Sequence, residues 1–285
     1  MAILSIQSHV VYGTVGNSSA VFPLQRLGNE VWAVNTVEFS NHTGYGKWRG
    51  SILSPALTND ILLGLSEHGV LEKCSALISG YLGDPEIGLS ILNAVTMVKA
   101  ANKNALYCCD PVMGDYGKGF YVHKDIPRII KEQLIPYADI LTPNQFELEA
   151  LSGLETTDIS AAKTAIEILH NAGPRLVLVT SYKDRQDNPQ EISMLVSNAK
   201  NIWRITTPCL PFSKPLSGSG DLTSAVFLSN YLQTGDPVKT LENTASSVYG
   251  ILSGTYKAKS PELLTVAFQQ ELVSPSNTFK AEKLF

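Results

Sequence analysis

The sequence predicts an α/β fold in which helices flank a mostly parallel central sheet. The first observation is a series of short β-prone runs that are apolar on both faces, as in strands buried in a middle layer. The second is that longer segments with apolar residues at helical spacing separate these runs. Strands that alternate with helical crossovers favour parallel pairing and a layered sandwich.

Seven β-prone runs and several helical segments support this architecture in chain order. The predicted strands are residues 3–6, 31–34, 76–79, 106–109, 140–141, 176–179 and 192–196. Helical periodicity is clearest at Ile87, Ile91, Leu92, Val95 and Val98, at Ala162, Ala165, Ile166 and Leu169, and over residues 222–232. We expect the C-terminal part to be helical, with 242–256 and 261–272 as candidates. No linker, charge block or internal repeat divides the chain, which predicts one domain over residues 1–285.

Composition excludes several classes of protein. The chain has 285 residues, 44% of them hydrophobic and 17% charged, which is typical of a globular protein. A net charge of -4 without any Lys/Arg-rich run argues against nucleic-acid binding. No apolar run approaches the roughly 18 residues needed to span a membrane, and the first residues predict a strand rather than a targeting segment. The four cysteines are too few and too irregular for a disulfide scaffold or zinc site, so we expect a cytoplasmic protein.

Residues with reactive or ligating side chains collect just after the predicted strands. They are Ser8 and His9, Asp110, Asn144 and Glu147, and Thr180 and Ser181. In parallel α/β sheets, ligands bind beyond the carboxyl ends of the strands. The sequence therefore predicts a ligand site at that edge of the sheet.

The stretch Gly218-Ser219-Gly220-Asp221 precedes the apolar residues of a predicted helix. Backbone amides at a helix N-terminus attract an anion such as a phosphate, and glycine permits positive φ and close approach. A carboxylate repels such an anion, so Asp221 suggests a base that takes a proton from the attacking hydroxyl. The alternative is a simple glycine turn with an acidic residue in the first helical turn.

Asn144 and Glu147 are three residues apart, which places both on one face of the first turn of a helix. The pair suits Mg²⁺, a cation that takes oxygen ligands and shares them with nucleotide phosphates. The alternative is a capping box, in which Asn144 is the N-cap of the helix and the Glu147 side chain accepts from the Asn144 amide. Together with the glycine-Asp turn, the pair indicates phosphoryl transfer, which needs an anion cradle, a base and Mg²⁺.

Seven short stretches of the chain carry a resemblance to a known family and occur in that family's order: residues 6–13, 15–17, 39–45, 79–83, 110–115, 142–147 and 218–221. Together they resemble the pyridoxal kinase family of the ribokinase-like superfamily, which implies a three-layer sandwich. The resemblance implies ATP-dependent phosphorylation of the 5'-hydroxymethyl group of pyridoxal, and of pyridoxine and pyridoxamine, in vitamin B6 salvage. It also implies a homodimer.

The resemblance implies a vitamin-binding role for one set of residues. Ser8 corresponds to the residue that bonds the pyridine nitrogen, and Thr43 contacts the edge of the ring that carries the 3-hydroxyl group. The other residues on this side are Gly44, His42, Tyr81 and Tyr121, of which His42 and Tyr81 wall the pocket and Tyr121 covers it. The loop before Tyr121, residues 116–120, is shorter than in animal relatives. A segment rich in glycine and aromatic residues, 35–50, is expected to close over the site as a loop.

A second set of residues is assigned to ATP and its cations. Asp110 and Thr142 correspond to positions that hold a monovalent cation, expected to be K⁺, and Asp115, Asn144 and Glu147 surround Mg·ATP. The resemblance further implies nucleotide contacts by Thr180 and Ser181 at the phosphates and by Thr207, Pro208, Cys209 and Leu210 at the adenine. Metal ligands are expected among Glu147, Asp110 and Thr142. One bacterial subgroup has lysine at the position of Thr180, and Ser219 replaces the more common Ala, Thr or Val.

The implied mechanism makes Asp221 the general base and the amides of Gly218, Ser219 and Gly220 the anion hole. Two alternatives remain open at this point. A hydroxymethylpyrimidine or sugar kinase shares the fold, the acidic pair and the glycine-Asp turn, but is not expected to carry Ser8 together with residues 41–45. A vitamin B6 binding protein without turnover is the other alternative, and intact Asp221 and Glu147 argue against it.

Overall fold

The computed structural model, which describes residues 1–214 and 216–285, has a ten-stranded sheet with helices packed on both faces. The strands, with β6 and β7 forming a separate hairpin, are β1 Ala2–Tyr12, β2 Glu30–Asn41, β3 Gly50–Ile52, β4 Cys74–Ser79, β5 Leu106–Cys109, β6 Gly114–Asp115, β7 Gly119–Phe120, β8 Ile140–Leu141, β9 Leu176–Tyr182, β10 Glu191–Ser197, β11 Ile202–Pro208 and β12 Glu282–Lys283. The helices are α1 Asn17–Arg26, α2 Pro55–Glu67, α3 Ile87–Ala101, α4 Ile126–Ile129, α5 Gln145–Ser152, α6 Ile159–Ala172, α7 Ser219–Thr234, α8 Pro237–Lys257 and α9 Gln270–Val273.

The middle of the sheet is parallel and its two edges are antiparallel. The strand order is β12-β11-β10-β9-β8-β5-β4-β1-β2-β3. Pairing is parallel from β9 through β8, β5, β4 and β1 to β2, whereas β10, β11 and β12 at one edge and β3 at the other run antiparallel to their neighbours. All carboxyl ends of the parallel strands therefore meet at one edge of the sheet, as the sequence predicts.

Side chains of the central strands enter two apolar cores, one on each face of the sheet. On β1, Leu4 and Ile6 enter the core formed with α2, α3, α5 and α6, while Ile3 enters the core formed with α1, α7 and α8. On β4, Leu77 and Ile78 divide in the same way. Side chains of neighbouring residues in a strand point to opposite faces, so buried central strands must be apolar on both. The three-layer prediction is confirmed.

All seven predicted strands are present, but the prediction was wrong about part of the C-terminal segment. The proposed helix over 261–272 consists of turns, and only α9 is helical there. Its residues instead pack into the α7–α8 core through Leu263 and Leu272. The sequence analysis also missed β3, β11, β12 and the β6–β7 hairpin. Most of these strands are only two or three residues long, and all lie at or next to an edge of the sheet or outside it, where the apolar pattern is weaker.

Two further features concern the cysteines and the lengths of the helices. Cys74, Cys108 and Cys109 are buried free thiols, and burial raises the pKa of Cys109 to about 12, so these thiols stay protonated. Among the described residues, no helix is both long and apolar enough to cross a membrane.

Candidate active site

A cavity of about 360 Å³ opens at the carboxyl ends of the parallel strands. The residues of the sequence-predicted site that line it are Ser8, His42, Thr43, Gly44, Tyr81, Asp110, Asp115, Tyr121, Thr142, Asn144, Glu147, Thr180, Ser181, Gly218, Ser219, Gly220 and Asp221. They come from segments far apart in the chain and meet because the parallel strands all end at this edge. Thr207, Pro208, Cys209 and Leu210 lie outside this lining, at the end of β11, and their contact with adenine stays a prediction.

The glycine-Asp turn forms the N-terminus of α7. Gly218 is the N-cap, with φ of 81°, and a Cβ at this position would stand 1.6 Å from the carbonyl oxygen of Thr14. A side chain is therefore excluded at Gly218 by both backbone conformation and space. Gly220 does not use positive φ, since it is helical, and a Cβ there would meet no protein atom within 4 Å. Its missing side chain instead leaves room inside the cavity.

Asp221 lies in the first turn of α7 and faces the turn that follows β1. The amide of Gly16 donates a hydrogen bond of 2.9 Å to Asp221 Oδ2. Burial raises the pKa of Asp221, and the Gly16 hydrogen bond offsets part of this effect by favouring the charged form. The carboxylate is thus oriented by the backbone and is a stronger base than an exposed aspartate.

Asp110 and Thr142 follow the adjacent strands β5 and β8 and are joined by a serine that sequence reasoning missed. Ser224 Oγ donates to Asp110 Oδ2 at 2.9 Å and lies 2.9 Å from Thr142 Oγ1. Burial raises the pKa of Asp110, with further contributions from the charges of Glu147 and Asp221. These three carboxylates repel one another, so a bound cation would stabilise their ionised forms.

Glu147 closes a capping box at the start of α5. Asn144 Oδ1 accepts from the Glu147 amide, and Glu147 Oε2 accepts from the Asn144 amide, both at 2.9 Å. Glu147 Oε1 also accepts from the amide of Met113 at 2.9 Å. The Asn144 side-chain nitrogen donates to the carbonyl of Gly114, so both ends of this amide are occupied. The capping alternative is therefore confirmed for this pair.

Glu147 keeps features that suit a cation despite its capping role. Its side chain is buried, and burial raises its pKa, while the three amides of Asn144, Met113 and Gly114 favour the charged form. Among the described residues, no group of three or more His, Cys, Asp or Glu side chains is placed to hold a metal ion. The oxygen donors Asp110, Asp115 and Glu147 line the cavity, so they fit Mg²⁺ that brings its remaining ligands as phosphate oxygens and water.

The opposite side of the cavity is apolar. Val10, Val15, Val37 and Phe39 form a small buried cluster against which Tyr81 packs, and all five line the cavity. Sequence reasoning named only Tyr81 among them as a site residue, because apolar residues on and next to β1 and β2 are indistinguishable from core residues before the sheet is assembled. This wall fits the face of a flat, partly apolar ring.

Ser8 and His42 supply polar groups beside this wall. The neighbours of Ser8 are hydrogen-bonded, Gln7 to Ser5 and His9 to Glu38, whereas the Ser8 hydroxyl bonds to no described residue and faces the cavity. His42 Nδ1 accepts from the Gly44 amide at 3.2 Å, and burial with the charge of Lys118 lowers the pKa of His42. His42 is therefore neutral near pH 7 and walls the cavity as an uncharged ring.

The segment 35–50 is not the loop that the sequence analysis expected. Its first seven residues belong to β2, which pairs with β1 as far as Tyr12 and Asn41. The chain then forms a short 3-10 turn at Thr43–Tyr45 and enters β3 at Gly50. Strand hydrogen bonds hold the first part in place, and residues 42–49 form the turn between β2 and β3, whose last residue, Arg49, is hydrogen-bonded to Ser40 of β2.

Ser181 marks the side of the cavity assigned to phosphates. It has a φ of 56°, uncommon for a residue other than glycine, and lies where the pairing of β9 with β10 is irregular. The neighbouring Thr180 amide donates to the carbonyl of Pro143 at 2.8 Å, which ties β9 to the start of α5. Such local strain is common at ligand sites. Lys118, Leu216 and Ser217 also line the cavity and had no signal in the sequence.

Comparisons with known proteins agree with this site. A family model described as phosphomethylpyrimidine kinase matches residues 73–262. The curated pyridoxal kinases PdxY of Rubrobacter xylanophilus and Granulibacter bethesdensis are 50% and 49% identical to this chain. Each alignment covers 99% of this chain, and they cover 97% and 99% of the two relatives.

Solved structures show the same architecture. The pyridoxal kinase from Leishmania donovani in complex with ADP and pyridoxamine is similar with a TM-score of 0.92 at 27% identity, covering 100% of this chain and 99% of that one. The pyridoxal kinase from Entamoeba histolytica is similar with a TM-score of 0.88 at 29% identity, covering 99% of each chain.

Proposed function

This chain belongs to the pyridoxal kinase family, and we propose that it transfers the γ-phosphoryl group of ATP to the 5'-hydroxymethyl group of pyridoxal. The product is pyridoxal 5'-phosphate, and pyridoxine and pyridoxamine are further substrates. The observation that carries the proposal is one cavity in which Asp221 and the N-terminus of α7 meet the Ser8 hydroxyl and the apolar wall. Solved relatives that contain ADP and a B6 vitamer support the same substrate pair.

Asp221 acts as the general base. It accepts the proton of the 5'-hydroxyl group as that oxygen attacks the γ-phosphorus, and the leaving group is ADP. Its raised pKa brings its basicity closer to the working pH, which improves proton transfer. The Gly16 hydrogen bond fixes one carboxylate oxygen and leaves Oδ1 for the substrate.

The amides at the start of α7 bind the transferring group. The first N–H groups of a helix have no carbonyl partner inside the helix, and they carry the positive end of its dipole. Gly218, Ser219 and Gly220 place these amides at the cavity, next to the base. Donors fixed in advance stabilise the charge on the transferring phosphoryl group without reorganising.

The acidic residues on the nucleotide side would hold the cations that accompany ATP. Asp115 and Glu147 would contact Mg²⁺ or its water shell, and Asp110 with Thr142 would hold a monovalent cation. Bound there, the cations neutralise phosphate charge and polarise the γ-phosphoryl group. The mutual repulsion of Asp110, Glu147 and Asp221 supports this assignment, since no Lys or Arg ion pair reaches these three carboxylates among the described residues.

The vitamin side gives the reaction its specificity. Ser8 donates to the pyridine nitrogen, Thr43 reaches the 3-hydroxyl edge, and the wall of Val37 and Phe39 contacts the ring. A hydroxymethylpyrimidine kinase is the second candidate, because the matching family model carries a related name. The full-length relatives at 50% and 49% identity are pyridoxal kinases, which favours pyridoxal.

A comparison of four alcohol substrates tests the proposal. Purified protein is given Mg·ATP with pyridoxal, pyridoxine, pyridoxamine or hydroxymethylpyrimidine, and both ADP and the phosphorylated product are measured. We expect B6 vitamers to have the higher kcat/KM. A preference for the pyrimidine would mean that the protein is a hydroxymethylpyrimidine kinase. Binding of pyridoxal without ADP release would identify a protein that only binds the vitamin.

We also propose that the protein works as a homodimer in the cytoplasm. Exposed apolar side chains support self-association, notably Val11, Tyr12, Tyr45, Trp48 and Ile52 around the end of β1 and the β2–β3 connection. The rings of Tyr12 and Tyr45 lie 6.3 Å apart, and exposed apolar side chains that lie together are typical of protein–protein interaction sites. Sedimentation at micromolar concentration tests the dimer, and we expect Trp48→Glu to shift the protein toward monomer.

A further inference from the structure

The turn that orients Asp221 is itself held by a carboxylate from the C-terminal segment. Residues 13–16 connect β1 to α1, and Gly16 within them donates to Asp221. Glu262 Oε2 accepts from both the amide and the hydroxyl of Thr14, each at 3.1 Å. The amide of Leu263 donates back to Thr14 Oγ1 at 3.3 Å. Three hydrogen bonds thus fasten one residue of this turn to the segment after α8.

Thr14 also contacts the anion-binding turn directly. Its carbonyl oxygen packs so closely on Gly218 that no Cβ fits there, and Ser19 Oγ donates to the carbonyl of Gly218 at 2.8 Å. The position of residues 13–16 therefore sets both the start of α7 and the orientation of Asp221. A movement of Thr14 would displace the base and the amide donors together.

The segment that carries Glu262 is itself held in place, so Glu262 can fix the position of Thr14. Leu263 is buried in the α7–α8 core, and the Ser260 hydroxyl donates to the carbonyl of Glu262 at 2.7 Å. The amide of Leu264 donates to Thr255 Oγ1 on α8 at 3.1 Å. Glu262 has no Lys, Arg or His ion pair among the described residues, so its contacts with the turn are hydrogen bonds to Thr14.

We propose that Glu262 is a positioning residue for phosphoryl transfer, acting through Thr14 on Asp221 and the N-terminus of α7. It does not touch substrate in this role. Because it orients the reacting groups rather than binding ground-state substrate, its loss lowers kcat more than it raises KM. The inference rests on the proposed function only in using that reaction as its readout.

The test compares Glu262→Ala with Glu262→Gln and with a matched control. We expect Glu262→Ala to lower kcat by about 10-fold to 100-fold, the scale of a small misplacement of reacting groups, while both KM values change by less than about threefold. Glu262→Gln keeps an oxygen that accepts from Thr14 and restores most of the rate. Glu271→Ala is the control, since Glu271 also accepts from a backbone amide and hydroxyl, those of Ser276, in the same C-terminal part of the chain.

A second variant covers the case in which Glu262→Ala folds poorly. Thr14→Val removes the hydroxyl but keeps the amide, so it should lose part of the rate. Its effect should not add to that of Glu262→Ala, because both changes act on one contact. Amide hydrogen exchange of residues 13–16 should accelerate in Glu262→Ala and not in Glu271→Ala.

Two results would overturn the proposal. One is a kcat for Glu262→Ala equal to that of Glu271→Ala at equal loss of thermal stability. The other is unchanged hydrogen exchange of residues 13–16. Failure of the proposed function is a separate result, seen as absence of B6 phosphorylation by the wild-type protein, and the exchange measurement remains valid in that case.

Discussion

The two sides of the cavity are built in opposite ways. On the phosphoryl side, Asp110 and Glu147 are 5% and 3% exposed and are held by hydroxyl and backbone donors. On the vitamin side, the turn at Thr43–Tyr45 is exposed, with Tyr45 at 48%, and the contact surface behind it is apolar. In the proposed function, phosphoryl transfer would therefore rely on groups fixed by the sheet and α7, whereas recognition of the alcohol would rely on the apolar wall, Ser8 and one surface turn.

This difference predicts where substitutions act. Substitutions on the phosphoryl side should lower kcat, or should change the free energy of unfolding by removing a buried charge. Changes on the vitamin side should raise KM for one substrate and leave ATP unaffected.

The largest effect is expected from Asp221→Asn. It removes the proposed base while keeping the size and one oxygen acceptor for Gly16, so turnover should fall by about 10²–10⁴-fold. Binding of Mg·ATP, measured by calorimetry, should persist. An Asn variant with nearly wild-type kcat would show that Asp221 is not the base and that the phosphoryl side works through its cations and amides alone.

The two glycines of the anion turn should separate stability from activity. Gly220→Ala meets no protein atom and favours the helix, so the protein should stay folded, with kcat/KM lowered on the order of 10²-fold because the methyl group enters the phosphate site. Gly218→Ala should lower the melting temperature, because its φ is positive and Thr14 blocks the space. Full activity of Gly220→Ala would mean that the transferring phosphoryl group does not bind next to Gly220.

On the vitamin side, Ser8→Ala should raise KM for pyridoxal by roughly 5- to 100-fold, the value of one hydrogen bond to a buried polar group. KM for ATP should stay unchanged. A benzene-ring analogue of pyridoxal should bind the wild type more weakly than pyridoxal does. In Ser8→Ala the difference in affinity between pyridoxal and the analogue should be much smaller. An equal analogue penalty in both proteins would mean that Ser8 does not contact the ring nitrogen.

The smallest effect concerns stability and its pH dependence. The folded-state pKa of Asp110 lies above the unfolded value of about 3.9, so the wild type loses stability as pH rises from that value through the folded pKa. Asp110→Asn removes this cost, although Glu147 and Asp221 still face the site. We expect the unfolding free energy of the ligand-free variant to fall less between pH 5 and pH 8, by denaturant titration. Equal slopes would mean that Asp110 is already neutralised in the wild type.

The same variant should also lose activation by K⁺, because Asp110 is the carboxylate proposed to hold the monovalent cation. Rates in K⁺ and in a bulky organic cation are compared for wild type and Asp110→Asn. Equal wild-type rates in the two salts would remove the monovalent site, without affecting the base assigned to Asp221.

Much of the site could be predicted because it uses local rules. The spacing of Asn144 and Glu147 alone predicts a capping box. The apolar residues that follow Gly218 and Asp221 predict that a helix begins there. Ser224 could not be predicted, since it lies in the middle of α7 and reaches Asp110 only after the helix packs on the sheet. Gly16 was part of the family pattern, but its bond to Asp221 joins residues 205 positions apart.

The sequence by itself determined the alternation of strands and helices, the edge of the sheet that carries the site and the resemblance to a family of kinases. These follow from hydrophobic periodicity and from short motifs, whose residues are neighbours along the chain. Only the tertiary structure decided that 35–41 is a strand, that 261–272 is mostly turns and that Glu262 holds Thr14. Each of these depends on contacts between distant segments, and such contacts leave no periodic signal in the residues that make them.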